Sequence, residues 1–216
     1  MSDISLRITE IFCSLQGEAR TVGCPTVFVR LTGCPLRCGY CDSAYAFHGG
    51  ERKTLAEILQ KVDGYGARYV CVTGGEPLAQ PDCKHLLTAL CDKGYEVSLE
   101  TSGAMDVEEV DERVSIVMDL KTPASGEVEK NLYANIPKLS DKDQVKFVLC
   151  DRQDYQWAKM KLDEYRLTNQ VGEVLFSPSY EGVTPKELAE WILEDKLDVR
   201  FQIQLHKYIW GDKPGV

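Results

Sequence analysis

The chain has 216 residues, 44% of them hydrophobic and 27% charged, with a formal net charge of −9. That balance suits one globular domain with a sizeable core and gives no sign of disorder. A net-acidic chain without a Lys/Arg cluster is poorly suited to grip a phosphate backbone, so nucleic acid is not an expected partner. The opening Met1-Ser2-Asp3-Ile4-Ser5 lacks a basic-then-apolar leader, and no apolar run approaches a membrane span; a cytoplasmic chain without membrane contact is expected. In that reducing setting the nine cysteines read as metal ligands plus free thiols rather than disulfides.

Segments with strand character alternate with segments of helical spacing. Leu6 to Phe12 and Thr26 to Leu31 are short β-rich runs joined by loop residues. Thr54 to Val62 places Leu55, Ile58, Leu59 and Val62 on one helix face, with Thr54 as N-cap. Tyr69 to Thr73 is a continuous apolar run, fit for a strand buried on both faces. Pro81 to Lys93 follows as a helix stopped by Gly94. Glu96 to Glu100, Ser115 to Leu120 and Gln144 to Leu149 read as strands. Asp151 to Tyr165 reads as a helix, Val174 to Phe176 as a strand, Pro185 to Asp195 as a helix and Val199 to Leu205 as a strand. Thr122 to Asp141 is expected to be a loop with one short helix.

Such alternation implies a parallel sheet with covering helices. Polar clusters follow the predicted strands at Thr73-Gly74-Gly75-Glu76, Glu100-Thr101-Ser102, Asp119-Leu120-Lys121-Thr122, Ser177-Pro178-Ser179 and His206-Lys207. In a β/α barrel all strand C-termini open on the face that carries the active site. These groups should therefore share one rim. The length falls short of the ~250 residues typical of a closed barrel, so an α/β fold with an open, incomplete TIM-like barrel is expected.

The most specific local signal is Cys34-Pro35-Leu36-Arg37-Cys38-Gly39-Tyr40-Cys41, three thiols at C-x3-C-x2-C spacing in a loop shaped by Gly33, Pro35 and Gly39. Thiolates at this spacing suit an iron–sulfur cluster or zinc. An ordinary closed site uses four protein ligands, so three leave a position open for chemistry. The alternative is a structural zinc with His48 as fourth ligand. Gly74-Gly75 lets a ligand approach the main chain, or is simply a strand-to-helix turn. Arg30, four residues before the first cysteine, offers a planar fork that matches a carboxylate, or forms a surface ion pair. Gln16 both donates and accepts, as a heterocycle edge requires. Glu100 and His206 are acid–base candidates, although a lone histidine at a strand end is more often a structural hydrogen-bonder. Cys71 and Cys150 read as small core residues.

C-x3-C-x2-C with an aromatic before the last cysteine resembles the radical S-adenosylmethionine enzymes. Leu15-Gln16-Gly17-Glu18, Arg30-Leu31-Thr32-Gly33-Cys34-Pro35, Cys41-Asp42-Ser43, Thr73-Gly74-Gly75-Glu76-Pro77, Glu100-Thr101-Ser102-Gly103 and His206-Lys207-Tyr208 stand in the order found in the 7-carboxy-7-deazaguanine synthase family. The similarity runs from about Ile8 to Trp210. It implies a single radical S-adenosylmethionine domain over residues 1–216 with a reduced barrel. It also implies a [4Fe–4S] cluster on Cys34, Cys38 and Cys41, S-adenosylmethionine on the open iron, and Mg2+. The implied lyase reaction is ring contraction of 6-carboxy-5,6,7,8-tetrahydropterin to 7-carboxy-7-deazaguanine with loss of ammonia, a step toward queuosine. S-adenosylmethionine would act catalytically, with flavodoxin or ferredoxin as electron donor and a homodimer as the assembly.

By the same resemblance Tyr40, Asp42, Gly74, Gly75, Glu76, Ser102 and Lys121 belong to the cofactor site. Leu15, Gln16, Gly17, Glu18, Arg30 and Thr73 bind the substrate, Arg30 through the substrate's carboxylate, and Glu100 and His206 contact it as recognition groups able to transfer a proton. Ser43 replaces the threonine usual in this family; it keeps the hydroxyl oxygen offered to Mg2+, an ion that takes few protein ligands. A glycyl-radical activating enzyme leaves Leu15 to Glu18 and Arg30 unexplained. A non-catalytic zinc or iron–sulfur module leaves the polar rim unexplained.

Overall fold

A computed structural model of the chain describes residues 4–211, 213 and 215. Its sheet begins with β1 (Ser5–Leu15), antiparallel to β2 (Pro25–Leu31) on one edge and to β3 (Glu51–Thr54) on the other. Sequence reading missed β3 because Glu-Arg-Lys-Thr carries no apolar alternation. Then come β4 (Tyr69–Gly74), β5 (Glu96–Thr101), β6 (Ser115–Asp119), β7 (Gln144–Leu149), β8 (Glu173–Pro178) and β9 (Arg200–Phe201). From β2 onward every pairing is parallel. The spatial order β3-β1-β2-β4-β5-β6-β7-β8-β9 makes one nine-stranded sheet that does not close on itself. The expected open barrel is therefore present, with an antiparallel entrance.

The helices are α1 (Leu55–Asp63), α2 (Cys83–Asp92), α3 (Arg152–Glu164), the short α4 (Leu167–Gln170), α5 (Pro185–Asp195) and α6 (Leu205–Trp210). Thr54 and Glu57 close a capping box on α1, and Thr184 and Glu187 close one on α5. The Asp151 side chain caps α3 through Asp154 N–H. Each cap satisfies amides that the helix itself leaves free. Between β6 and β7 the chain makes 3-10 turns at Pro123–Ser125, Val128–Lys130 and Tyr133–Lys138, more than the one short helix expected. The strand expected over Val199 to Leu205 shrinks to Arg200–Phe201. Beyond it the Gln202 side chain accepts from Ala19 N–H at 2.9 Å, and Leu205 N–H donates to Gly17 at 3.0 Å.

Side chains alternate across a strand, and here the two faces differ sharply. Val27, Val29 and Leu31, Val70 and Val72, Val97 and Leu99, Ile116 and Met118, Val145, Phe147 and Leu149, and Val174 and Phe176 all enter one core. That core also takes Ile58 and Val62 of α1, Leu86, Leu87 and Leu90 of α2, Ala158 and Leu162 of α3, and Leu188 and Ile192 of α5. The opposite face carries Arg30, Cys71, Thr73, Ser98, Glu100, Asp119, Gln144, Lys146 and Ser177. Three of its buried apolar residues, Ala19, Val117 and Leu175, form a small separate cluster. Burial of Tyr69 to Thr73 on both faces, as expected, is met by Val70 and Val72 in the core and by Cys71, fully buried on the polar side beside the half-buried Thr73. A closed barrel fills this face with packed apolar side chains; here it is lined mainly by polar and charged ones.

A bulge in β1 sets the phase of that face. Ile8 pairs with Leu31, yet Glu10 pairs with Arg30, so Thr9 is the extra residue. Without it Ile8 and Glu10 would point to the same face. With it Ile8 enters the core while Glu10 joins Arg30 and, through the β2–β4 register, Thr73. Bulges re-aim side chains in this way beside functional sites.

Candidate active site

The cysteine loop leaves β2 and is fastened by its backbone. Gly33 N–H donates to Ala46 at 2.8 Å and Gly39 N–H to Ser125 at 3.0 Å. Leu36 is buried beneath it, and Leu36 N–H donates to Cys34 Sγ at 3.4 Å. The Arg37 guanidinium lies over the Phe47 ring at 4.3 Å and bonds Cys34 O at 2.8 Å. Cys34, Cys38 and Cys41 are all free and half-buried. Burial pushes the Cys38 thiol up to about 11 and raises Cys34 as well, so iron must displace protons from them.

Among the described residues no three His, Cys, Asp or Glu side chains converge as a mononuclear site requires. A cubane cluster offers a separate iron to each thiolate, and three neighbouring free thiols on one braced loop fit it. Ser43 Oγ lies 3.9 Å from Cys41 Sγ, directly beside the loop. Tyr40 is half-buried, with the Lys121 ammonium 5.8 Å from its ring centre.

The glycine pair has a packing role beyond the ligand approach or simple turn expected from the sequence. A Cβ at Gly74 would stand 2.3 Å from Leu31 O, and one at Gly75 would stand 2.3 Å from Gly33 O. Only glycine lets β4 press against the root of the cysteine loop. Glu76, expected in the cofactor site, is fully buried, and its carboxylate is occupied by the protein itself. It accepts from Leu78 N–H at 3.0 Å, Thr101 Oγ1 at 3.0 Å, Ser102 N–H at 2.7 Å and the Ser102 hydroxyl. Glu76 therefore bolts β4 to β5, and Ser102 serves it. Glu76→Gln turns one acceptor into a donor among these donors and should cost about 1–3 kcal/mol. Urea unfolding that matches the parent would refute this.

Arg30 donates through Nε to Glu10 Oε1 at 2.7 Å, and Tyr45 donates its hydroxyl to the same oxygen at 2.7 Å. The Phe12 and Tyr45 rings flank the guanidinium at 5.9 and 5.8 Å. The Nε bond leaves its two terminal nitrogens, the pair that forks onto a carboxylate, out of that contact.

Loop 16–19 covers the polar face, with Gln16, Gly17 and Ala19 buried. Glu18 enters a charge cluster that sequence reading did not anticipate. Lys146 of β7 donates to Glu18 Oε2 at 2.7 Å and Glu100 Oε2 at 3.2 Å, and lies 4.0 Å from Asp119 Oδ2. Lys121 donates to Asp119 at 2.9 Å. Burial alone would raise Glu18, but the Lys146 ammonium and the bonds from Lys146 and Gln204 outweigh it and hold the group at about 2. Burial wins at Glu100, helped by the Glu18 charge, and its carboxyl is pushed up despite Lys146.

Gln204 Nε2 donates to Glu18 at 2.9 Å and to Asp42 at 3.2 Å, so the cysteine loop and loop 16–19 meet at one amide. His206 lies in α6 rather than at a strand end, a correction that follows from the short β9. Its Nδ1 would stand 2.1 Å from a Cβ at position 17, so Gly17 is what lets the imidazole in. Burial lowers the His206 pKa against the pull of Glu18 and Asp42.

Asp119 Oδ1, Gln144 Oε1 and Ser177 Oγ are buried without a partner. All stand on the polar face, and buried polar atoms left unpaired await a ligand or water. Lys146 is the residue sequence reading missed; the available signal was one lysine set between the apolar residues of the strand Gln-Val-Lys-Phe-Val-Leu. A hollow of about 630 Å3 bordered by Glu10, Ile11, Gln60 and Tyr65 includes none of the expected site residues.

Residues 28–125 match the model of the Radical SAM superfamily. The chain is 43% identical, over its whole length and 99% of the relative, to 7-carboxy-7-deazaguanine synthase of Chlorobaculum tepidum. It is 41% identical, over 95% of the chain and 97% of the relative, to the protein of that name from Koribacter versatilis. Among solved structures QueE from Escherichia coli superposes with a TM-score of 0.76 at 22% identity, covering 94% of this chain and 95% of that one.

Proposed function

The chain belongs to the 7-carboxy-7-deazaguanine synthase family of radical S-adenosylmethionine enzymes, and on that premise we propose how its residues divide the work of ring contraction. The substrate is 6-carboxy-5,6,7,8-tetrahydropterin and the product 7-carboxy-7-deazaguanine, with ammonia released. One observation carries the reading: the Gln204 amide joins Asp42, next to the last cysteine, to Glu18, which shares Lys146 with Glu100. Cluster loop and acceptor pair therefore face one space.

Cys34, Cys38 and Cys41 would hold the cluster, and Ser43 would offer its hydroxyl to Mg2+. When bound, the cluster and S-adenosylmethionine supply the radical that removes a substrate hydrogen. Tyr40, Asp42, Gly74, Gly75 and Lys121 line the cofactor side. Glu76 and Ser102 hold that rim in place from behind. Arg30 receives the substrate carboxylate on its terminal nitrogens while Glu10 steadies Nε. Leu15, Gln16, Gly17, Glu18 and Thr73 enclose the pterin. Glu100, its carboxyl raised by burial against the pull of Lys146, is placed to exchange a proton with the substrate. His206, lowered by burial, accepts or donates a hydrogen bond through its imidazole.

A reductant of the flavodoxin or ferredoxin kind would supply the electron, and a homodimer would be the assembly. Among the described residues no helix is long and apolar enough to cross a membrane.

The test is anaerobic turnover with substrate deuterated at C6. Deuterium should appear in recovered S-adenosylmethionine, because the C6 deuterium would pass to the cofactor's 5′-methyl carbon and mix with its hydrogens before one is returned to the substrate radical. If 5′-deoxyadenosine instead accumulates one for one with product, the catalytic use of S-adenosylmethionine is wrong. In the same assay Ser43→Ala should need more Mg2+ for half-maximal rate and Ser43→Thr should not. An unaltered Mg2+ response in Ser43→Ala would place the ion elsewhere.

A further inference from the structure

We propose that Lys146 is a positioning residue of the pterin pocket, its ammonium holding Glu18 and Glu100 together as paired acceptors for the N–H donors of the substrate ring. This deepens the reading above and rests on it. Lys146 is 8% exposed and sits on the polar sheet face, one strand beyond Asp119 in register. Its Nζ reaches Glu18 from the loop after β1 and Glu100 from β5, two carboxylates 82 positions apart in the sequence that nothing else in the cluster brings together.

The charges do not balance. Glu18, Glu100 and Asp119 oppose Lys146 and Lys121, three carboxylates against two ammoniums, and Asp119 Oδ1 is buried without a partner. Such a cluster has acceptors to spare. It suits a ligand edge rich in donors, as the amino group and ring N–H groups of a reduced pterin are, and it has no use for a second anion. The substrate carboxylate is left to Arg30.

Removing the ammonium has a defined sign. Lys146 favours the ionised form of both carboxylates, so its loss raises their pKa values and the pocket must reach higher pH before it accepts N–H donors. The other groups facing this cluster are Asp119 at the end of β6 and Lys121 just beyond it, Gln204 and His206 at the C-terminal segment, and Cys71 of β4. All of them remain in the variants below.

Holoenzyme reconstituted with its cluster is assayed as wild type, Lys146→Met, Lys146→Arg and the double variant Lys146→Met/Glu18→Gln. Lys146→Met should raise the KM for the carboxypterin about 10- to 100-fold, the loss of one charge-assisted hydrogen-bonded partner. S-adenosylmethionine affinity should hold, and the acid limb of kcat/KM should move to higher pH. Lys146→Arg should restore most of the KM. The double variant, which removes one charge of each sign, should fold as wild type and lose the acid-limb shift while its KM stays raised, even if Lys146→Met proves too unstable to assay. Wild-type enzyme that turns over the pterin while Lys146→Met keeps its KM and pH profile, or while the double variant keeps its KM, would overturn the role of Lys146 alone. Wild-type enzyme that does not bind the pterin would overturn the functional reading together with this inference.

Discussion

Cys38→Ala should be colourless after anaerobic reconstitution and should form no product, whereas Cys83→Ala should turn brown and retain activity. The two thiols differ in place, not in chemistry. Cys38 is half-buried on the loop after β2, while Cys83 is fully buried in the core at the start of α2. Two thiolates cannot hold a cluster that already leaves one iron without a protein ligand. The loss should not reflect unfolding, because the loop is braced by main-chain bonds from Gly33 to Ala46 and from Gly39 to Ser125 that involve no sulfur. Circular dichroism of the variant should match the parent. Full iron content in Cys38→Ala would remove Cys38 from the ligand set.

Arg30→Ala should weaken carboxypterin binding about 30- to 4,000-fold, the range spanned by the 2–5 kcal/mol that losing one side of a buried charged pair costs. S-adenosylmethionine binding should be nearly unaffected. Arg30 is already ordered in the free chain by Glu10 on Nε and the Phe12 and Tyr45 rings beside it. The fork therefore meets the substrate without first surrendering side-chain freedom. Arg30→Lys should rescue little, since an ammonium cannot engage a carboxylate bidentately. Glu10→Gln keeps the guanidinium but loosens its anchor, and should fall between wild type and Arg30→Ala. Calorimetric titration measures all four, and unchanged affinity in Arg30→Ala would assign the carboxylate to another residue.

Much of the architecture was legible from local pattern. Thr54 with Glu57 and Thr184 with Glu187 announce helix starts by capping chemistry, and both boxes form. The cysteine spacing marks a ligand loop irrespective of what surrounds it. The last strand was misread because Val199 to Leu205 alternates acceptably for a strand, yet only Arg200 and Phe201 find a neighbour in β8 to pair with. Strand pairing is a contact between distant segments, and no local pattern reports whether the partner continues. His206 consequently belongs to a helix laid on Gly17, an approach a sequence cannot display.

The sequence by itself determined which chemistry was available: three thiols on one loop, an arginine before them, and polar residues at strand ends. Only the tertiary structure decided which of those residues are free to act. Glu76 looks like a site carboxylate and is consumed by Leu78, Thr101 and Ser102, while Lys146 looks like a strand lysine and joins the two acids of the pocket. The bulge at Thr9 makes the same point, since it turns Glu10 toward Arg30 while leaving Ile8 in the core. The physical reason is that a strand alternates its faces every residue, so one extra position, or one neighbour within hydrogen-bond reach, reassigns a side chain from scaffold to site.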